Sequence, residues 1–457
     1  MKTLPRSQTP AFVQILNWIA DPVGFLDRHA REYGPTFQVQ LSGLGEIVMT
    51  AEPPLLREML TQDEGGRYEA PGEVNGILAP ILGERSTILL GGAKHRRHRK
   101  LIMPAFHGER VRAYSETIVA ATQRAFDRVA DGQVFVVREA MQEITMDVIL
   151  TAVFGLSQGA RYDRIKSLVT AMLDMLASPL ASSLIFFPAL QQDWGSWSPW
   201  GRFLQRRREL DALLFAEIAE RRANPDPTRS DVLNMLLEMR DENGAALTDE
   251  ELRDELMTIV FAGHETTATA LAWAVYWVHR DREVLGRLTD ELVAADLDGD
   301  PVGTFRLPYL TAVCNETLRL YPVAMLTFPR WPIGPVDFGG YALPAGTLIM
   351  GNIYLLHQDP ELYPDPKTFR PERFLERKYS QFEFMPFGAG SRRCVGMALA
   401  QFELKLVLAA LLKSRALELT GPEVVPQRRG VTLGPKGGVQ AIVTKRCSAA
   451  VEVAVTA

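Results

Sequence analysis

The stretch FMPFGAGSRRCVGMALA, residues 384–400, sets one thiol, Cys394, among glycines, two arginines and a proline. Only Cys314 and Cys447 join it in a chain of 457 residues. A zinc site needs about four ligands, commonly in Cys-x-x-Cys or spaced histidine pairs. The sequence has neither, and HETTA at 264–268 lacks the second histidine of a zinc-protease helix. A phosphatase-like nucleophile needs an arginine six residues on, where Ala400 stands, and a dinucleotide loop needs a glycine in place of Arg393. Inert burial is the ordinary fate of a lone cysteine, yet it leaves the neighbourhood unexplained. Gly388, Gly390 and Gly396 allow backbone shapes and close approaches closed to other residues. Arg392, and a helix expected to begin just after the cysteine, favour a thiolate. Such a thiolate is suited to a single bond to a soft or borderline metal.

Three other groups carry chemistry. Glu265 and Thr266 fall inside the apolar run LMTIVFAGHETTATALAWAV, where a charge is costly and a threonine usually bonds back to the previous turn. An acid beside an alcohol, next to the small Ala262 and Gly263, can also deliver protons to a small ligand through hydroxyl and water. Glu316 and Arg319 share a helix face at i, i+3, and alone would make a surface pair worth under about 1 kcal/mol. AKHRRHRK at 93–100 holds five basic residues and two histidines, which in isolation reads as a solvated basic face or a nucleic-acid patch.

Apolar spacing predicts the elements that position these groups. A hairpin is expected over 36–50, and helices over 109–131, 137–155, 161–177 and 203–223. The longest helix begins at LTDEEL, where Thr248 and Glu251 form a capping box. It runs without proline to about Arg280, ~45 Å. Further helices are expected at 308–320 and about 397–413, with β-like pieces in 327–350 and in GVTLGPKGGVQAIVTKR. No repeat or linker divides the chain. The expected architecture is one large, mainly α domain with small β-sheets over 1–457, residues 1–20 forming a poorly ordered N-terminal segment. In QQDWGSWSPW, Trp194, Trp197 and Trp200 stand three apart, but Gly195, Ser196, Ser198 and Pro199 argue for a loop.

A lone protein thiolate on a metal otherwise held by cofactor nitrogens is the haem-thiolate arrangement. FGAGSRRCVG resembles the haem loop of the cytochrome P-450 superfamily, Phe-x-x-Gly-x-Arg-x-Cys-x-Gly, met at Phe387, Gly390, Arg392, Cys394 and Gly396. In order along the chain, AGHETT is similar to the family's oxygen-activating stretch, ETLR to its Glu-x-x-Arg helix (Glu316, Arg319), and PERF supplies Arg373. The resemblance runs from about residue 20 to the C-terminus. It implies haem b buried between the long central helix and the cysteine loop, with Cys394 as axial ligand. It implies contacts to that haem from His95, Arg99, Ala262, Thr266, Arg330, Phe387, Arg392 and Gly396. Glu265 and Thr266 would deliver protons, and Glu316, Arg319 and Arg373 would form a buried structural network. Arg96, Arg97 and Lys100 would point outward to dock an electron donor. Phe261, Ala262, Val323, Ala324, Met325 and Leu326 would meet substrate, and the segment 179–202 would form a lid over an apolar ligand or touch a membrane.

The net charge of −5 argues against a nucleic-acid partner, and three cysteines make no disulfide framework. No run approaches the ~18 apolar residues of a membrane span. The expectation is therefore a cytoplasmic, bacterial-type, monomeric monooxygenase without stable membrane insertion. It would place one atom of dioxygen into an apolar small molecule such as a fatty acid or terpenoid. Its electrons would come from NAD(P)H only indirectly, through a ferredoxin-type donor and its reductase. A haem-thiolate peroxygenase or isomerase, and a non-catalytic haem sensor, are the alternatives.

Overall fold

The computed structural model describes residues 2–41, 45–106, 108–177, 191–295, 300–430 and 432–446. Helical apolar spacing gives α1 (Ala11–Ala20), α2 (Pro22–Tyr33), α3 (Pro53–Thr61), α4 (Gly92–Ile102), α5 (Ser115–Asp127), α6 (Val137–Phe154), α7 (Ala160–Ala177), α8 (Pro199–Ala223), α9 (Asp249–Arg280), α10 (Arg282–Ala294), α11 (Pro308–Leu320) and α12 (Met397–Ser414), with shorter helical turns between them. The expected 109–131 helix is two pieces, broken where Tyr114 takes φ −83° and ψ 0°.

α9 spans 32 residues. At its start Glu251 donates its backbone N–H to the Thr248 hydroxyl, and the Glu251 carboxylate accepts the Thr248 N–H at 2.9 Å. Asp249, Glu250 and Glu251 fill the first turn, where the helix dipole favours negative charge. Beyond that turn α9 is buried on nearly all sides, packing on α6, α11 and α12.

The principal strands are β1 (Thr36–Leu41), β2 (Gly45–Thr50), β3 (Val134–Val136), β4 (Leu348–Gly351), β5 (Arg415–Leu419), β6 (Pro426–Arg429), β7 (Thr432–Pro435) and β8 (Gln440–Arg446). β1 and β2 pair antiparallel with Thr36 opposite Thr50, and β4 adds parallel to β2 with Leu348 opposite Ile47. β8 lies between β3 and β5. The β6–β7 hairpin rests on α9, where Trp273 Nε1 donates to Leu433 O at 3.0 Å.

Residues 2–20, expected to be poorly ordered, are built into this sheet region. Lys2 N–H donates to Gly340 O at 2.9 Å, Arg6 bridges Gln38, and the Gln14 side-chain oxygen accepts Gln40 N–H at 3.1 Å. Trp18 of α1 meets Phe25 edge-on at 5.7 Å. Edge backbone groups and a buried indole give the segment partners that its composition does not announce.

Two apolar cores result. One fills the helical body around α5, α6, α9 and α12; the other lies beneath β1, β2 and β4 against α2 and α3. The cysteine loop straddles them. Phe387 and Val395 pack on the first, while Met385 and Ala389 sit in the second. Trp200 stacks on Phe203 at 5.1 Å inside the helical core, whereas Trp194 and Trp197 are 69 % and 90 % exposed. The apolar remainder of the expected lid, 178–190, lies outside the described residues, as does Cys447. Cys314 is buried, and burial pushes its thiol up to about 12. No helix among the described residues is long and apolar enough to cross a membrane.

Candidate active site

The loop carrying Cys394 is shaped by two left-handed glycines, Gly388 (φ 66°) and Gly390 (φ 71°). At Gly390 a Cβ would also lie 2.4 Å from Asp63 Oδ2 and 2.6 Å from Leu60 O, so both conformation and space exclude a side chain. Asp63, just beyond α3, accepts the Ser391 N–H at 3.1 Å and its hydroxyl at 3.0 Å, fastening the loop. Cys394 N–H donates to Phe387 O at 2.9 Å, closing the turn. Protein atoms crowd around the thiol, although Cys394 as a residue is exposed. Burial pushes it up; the Gly396 N–H, Arg99 and Arg393 pull the other way. A metal bound there would deprotonate it outright.

Behind the loop, Glu316, Arg319 and Arg373 are in contact and buried. Arg319 donates to both Glu316 oxygens at 2.7 and 2.8 Å, and Arg373 Nε donates to Glu316 Oε1 at 3.0 Å. The remaining guanidinium protons go to carbonyls, including His357 O and Pro366 O from Arg319 and Pro364 O from Arg373. His357 carries the linkage on: its Nε2 accepts the Met385 N–H at 3.0 Å, at the entry of the cysteine loop. Burial pushes this histidine down to about 3, which keeps it neutral and able to accept.

Four cationic or basic side chains from three parts of the chain, His95, Arg99, Arg330 and Arg392, converge beside the loop. Burial, then Arg392, Arg99 and Arg330, push His95 down to about 3. Arg392 is pinned by Thr87 O at 2.9 Å and Ala70 O at 2.7 Å, while its Nε is buried without a partner. Arg99 makes no hydrogen bond or ion pair among the described residues; it feels Cys394, Glu64 and Asp63 only at longer range. Arg330 is already engaged, donating to Asp63 at 2.7 Å and to Phe328 O at 2.7 Å. So much buried positive charge against one carboxylate, with an orphaned guanidinium N–H, fits a group bearing carboxylates, as haem b does. Arg99, His95 and Arg392 would be the residues to hold them.

The burial of α9 relents at its centre, where Ala262 is exposed and Phe261, Gly263, Glu265 and Thr266 are half-buried. Thr266 donates its hydroxyl to Ala262 O, the back-bond common for mid-helix threonine; its lone pairs remain to accept. Glu265 turns to α6 and β6, accepting from Gln142 at 2.6 Å and Arg138 at 3.4 Å, with Arg429 at 3.8 Å. It makes no hydrogen bond to Thr266. Gly263 serves packing instead of ligand room, since a Cβ there would lie 2.8 Å from Ile149 Cδ1 of α6.

Two expectations need correction. Arg97 does not point outward: it donates to Asp241 at 2.6 Å, Glu251 at 3.2 Å and Ala246 O at 3.1 Å, tying α4 to the start of α9. Arg96 and Lys100 are exposed, facing Glu64 and Glu242. Met325 packs into the second core, and Leu326 lies against the same core. Phe261 lines a wholly apolar pocket with Ile81, Val169, Met172, Met257 and Val260. Val323 is half-buried and Ala324 exposed. Sequence reasoning missed Asp63, His357 and Glu255. The first two are a lone acid and a lone histidine whose partners lie far along the chain, so no local spacing marks them.

Together the fold and the exposed Cys394 beside unmatched cations define a haem-thiolate protein. The sequence profile described as Cytochrome P-450 matches residues 5–439, and the chain belongs to that family. It is accordingly a haem b-binding, oxygen-incorporating oxidoreductase that works with dioxygen, a small-molecule substrate and redox partners. It is 34 % identical over 417 residues to a Mycobacterium tuberculosis protein provisionally named cytochrome P-450 135B1, covering 91 % of this chain and 86 % of that one. A Mycobacterium bovis protein provisionally named cytochrome P-450 138 is 32 % identical over 444 residues, 97 % and 96 % of the two chains. The solved structure of retinoic acid-bound cyanobacterial CYP120A1 shares the fold, with a TM-score of 0.83 at 24 % identity over 97 % of this chain and 99 % of that one.

Proposed function

We propose that this monooxygenase inserts one oxygen atom of dioxygen into a C–H bond of an apolar substrate, a fatty acid or terpenoid, using electrons from a ferredoxin-type donor and its reductase. The observation that carries the reading is the exposed Cys394, with the Gly396 N–H and Arg99 acting on its thiol, beside a cation cluster in need of carboxylates. Haem, when bound, supplies the activation of dioxygen. Cys394 would be its thiolate ligand, Phe387 and Gly396 would frame it, and His95, Arg99 and Arg392 would hold its carboxylates, with Arg330 acting through Asp63. Glu316, Arg319 and Arg373 keep the loop in place.

Thr266 hands a proton inward from a hydroxyl whose lone pairs are free, while Glu265 replenishes it when it leaves Gln142 and Arg138. Phe261 and its aliphatic neighbours close a wholly apolar void with room for little more than one water; that none of them offers a polar partner is in keeping with an apolar ligand once they part. Ala262, Val323 and Ala324 are the other candidate contacts. Arg96, Lys100 and the exposed Arg393 are left to meet an acidic donor. We read the enzyme as a cytoplasmic monomer, in keeping with three cysteines that form no disulfide framework.

A spin-state titration across fatty acids, terpenes and steroids, paired with NADPH-to-product coupling using surrogate ferredoxins, tests this. Spectral shifts and coupled oxidation with apolar ligands are expected. Turnover with peroxide alone, without any NADPH-driven product, would favour the peroxygenase reading.

A further inference from the structure

His98 follows the basic run of α4 but faces α9, with its side chain only 3 % exposed. Its Nδ1 lies 2.8 Å from Glu255 Oε1 and its Nε2 3.2 Å from Glu251 Oε1. A neutral imidazole has one N–H and one lone pair, so it satisfies one carboxylate oxygen and sets a lone pair against the other. Both contacts form only when a further proton sits on the ring or on one of the two carboxyls; the buried Glu255 is the better holder of the two. The second oxygen of Glu255 points the same way. Its Oε1 accepts the Thr87 N–H at 2.9 Å and the Thr87 hydroxyl, while Oε2 is buried with no partner. An unpartnered buried oxygen is less costly on a neutral carboxyl than on a carboxylate, and burial raises Glu255 accordingly.

This unit is wired at both ends. Thr87 O accepts from Arg392 at 2.9 Å, on the side of the carboxylate-binding cations, where His95 and Arg99 stand on the same helix. Glu251, 18 % exposed, meets Arg97, which meets Asp241, at the rim. These are the charged groups that face it from α4, α9 and the two flanking loops.

We propose that His98, Glu251 and Glu255 form a proton-holding positioning site that takes up one proton when the bound haem is reduced. The electron arrives from the redox donor and stays on the haem; the proton arrives from solvent by way of Glu251 and stays on the His98–Glu255 unit. No bond to substrate is made or broken. The added negative charge is met by the added positive charge through Thr87 and Arg392, which sit between the two. The inference rests on haem binding, which the carbon-monoxide spectrum of the holoenzyme tests separately.

The test is potentiometric titration of the holoenzyme across about pH 6–9, a range bracketing imidazole and a raised carboxyl. The wild-type potential should fall with pH, approaching about 59 mV per tenfold change in proton activity, the limit for one proton per electron. His98→Gln should keep its haem and Soret band but lose most of that slope. Glu251→Gln, at the rim, should keep the slope with its midpoint moved to lower pH, because a carboxylate that stabilises the protonated unit is gone. A wild-type potential independent of pH would overturn the proposal. So would an unchanged slope in His98→Gln, or, if that variant fails to hold haem, an unmoved midpoint in Glu251→Gln.

Discussion

The cysteine loop and the centre of α9 are built in opposite ways. The loop is over-determined: Glu316, Arg319 and Arg373 are buried in one ion network, and His357 grips Met385. Asp63 takes Ser391 and Arg330 together, and Gly390 leaves no room for anything larger. At the centre of α9 the groups that could react are lightly held. Thr266 bonds only to its own helix, and Glu265 shares three partners at 2.6, 3.4 and 3.8 Å. Fixed placement suits a thiolate ligand. Loosely satisfied donors and acceptors suit protons that have to move.

The largest effect that distinguishes the two regions should come from Glu316→Ala. It leaves two guanidinium groups buried without their carboxylate, costing about 3–5 kcal/mol, a large share of a typical domain's stability. Denaturant unfolding and haem content of the purified variant measure this. A loss no greater than that of Glu265→Ala would erase the contrast.

Acid should probe the buried histidines of each region. His357 by the loop and His264 in α9 are both pushed down to about 3, by burial above all. Their folded values lie below the unfolded value of about 6.5, so the unfolded chain binds protons first. The stability each contributes is present above about pH 6.5 and drains away as pH falls toward 3, about 2 kcal/mol apiece by pH 5. Comparing denaturant unfolding at pH 7 and pH 5, His357→Gln should show a visibly smaller drop than wild type. An identical drop would mean that this imidazole is not held neutral.

Thr266→Ala should barely change stability, within about 1 kcal/mol, yet divert most electrons from product to peroxide or water. Unchanged coupling of NADPH to product would make Thr266 a packing residue and the centre of α9 as fixed in place as the loop. The smallest effect is expected at the surface. Arg96→Glu should slow electron transfer from the donor modestly, and more at low salt, where screening beyond ~10 Å is weaker. Arg97→Glu should instead lower stability, by setting like charges against Asp241 and Glu251. Similar electron-transfer losses with intact stability in both would restore Arg97 to the docking face.

What the sequence reveals here is what neighbours along the chain determine. The capping box and the limits of α9 are local, as are the turn glycines and the i, i+3 pair Glu316–Arg319, so periodicity and spacing expose them. Asp63 meets Arg330 across 267 residues, and Glu255 meets His98 across 157; no local pattern encodes either. Arg97 shows the limit of reading a helix face. Spacing places it beside Arg96 and Lys100, but only the packing of α4 on α9 turns it inward. Met325 likewise sits in a run of apolar residues of which the fold buries one in a core and exposes another.

The most direct test of the central claim is the spectrum of the reduced, carbon monoxide-bound protein beside that of Cys394→Ser. A thiolate donates electron density to the iron, so the wild type should show the strongly red-shifted Soret band of thiolate ligation and the variant should lose it. A variant spectrum indistinguishable from wild type would mean that another residue binds the iron, and would contradict the account.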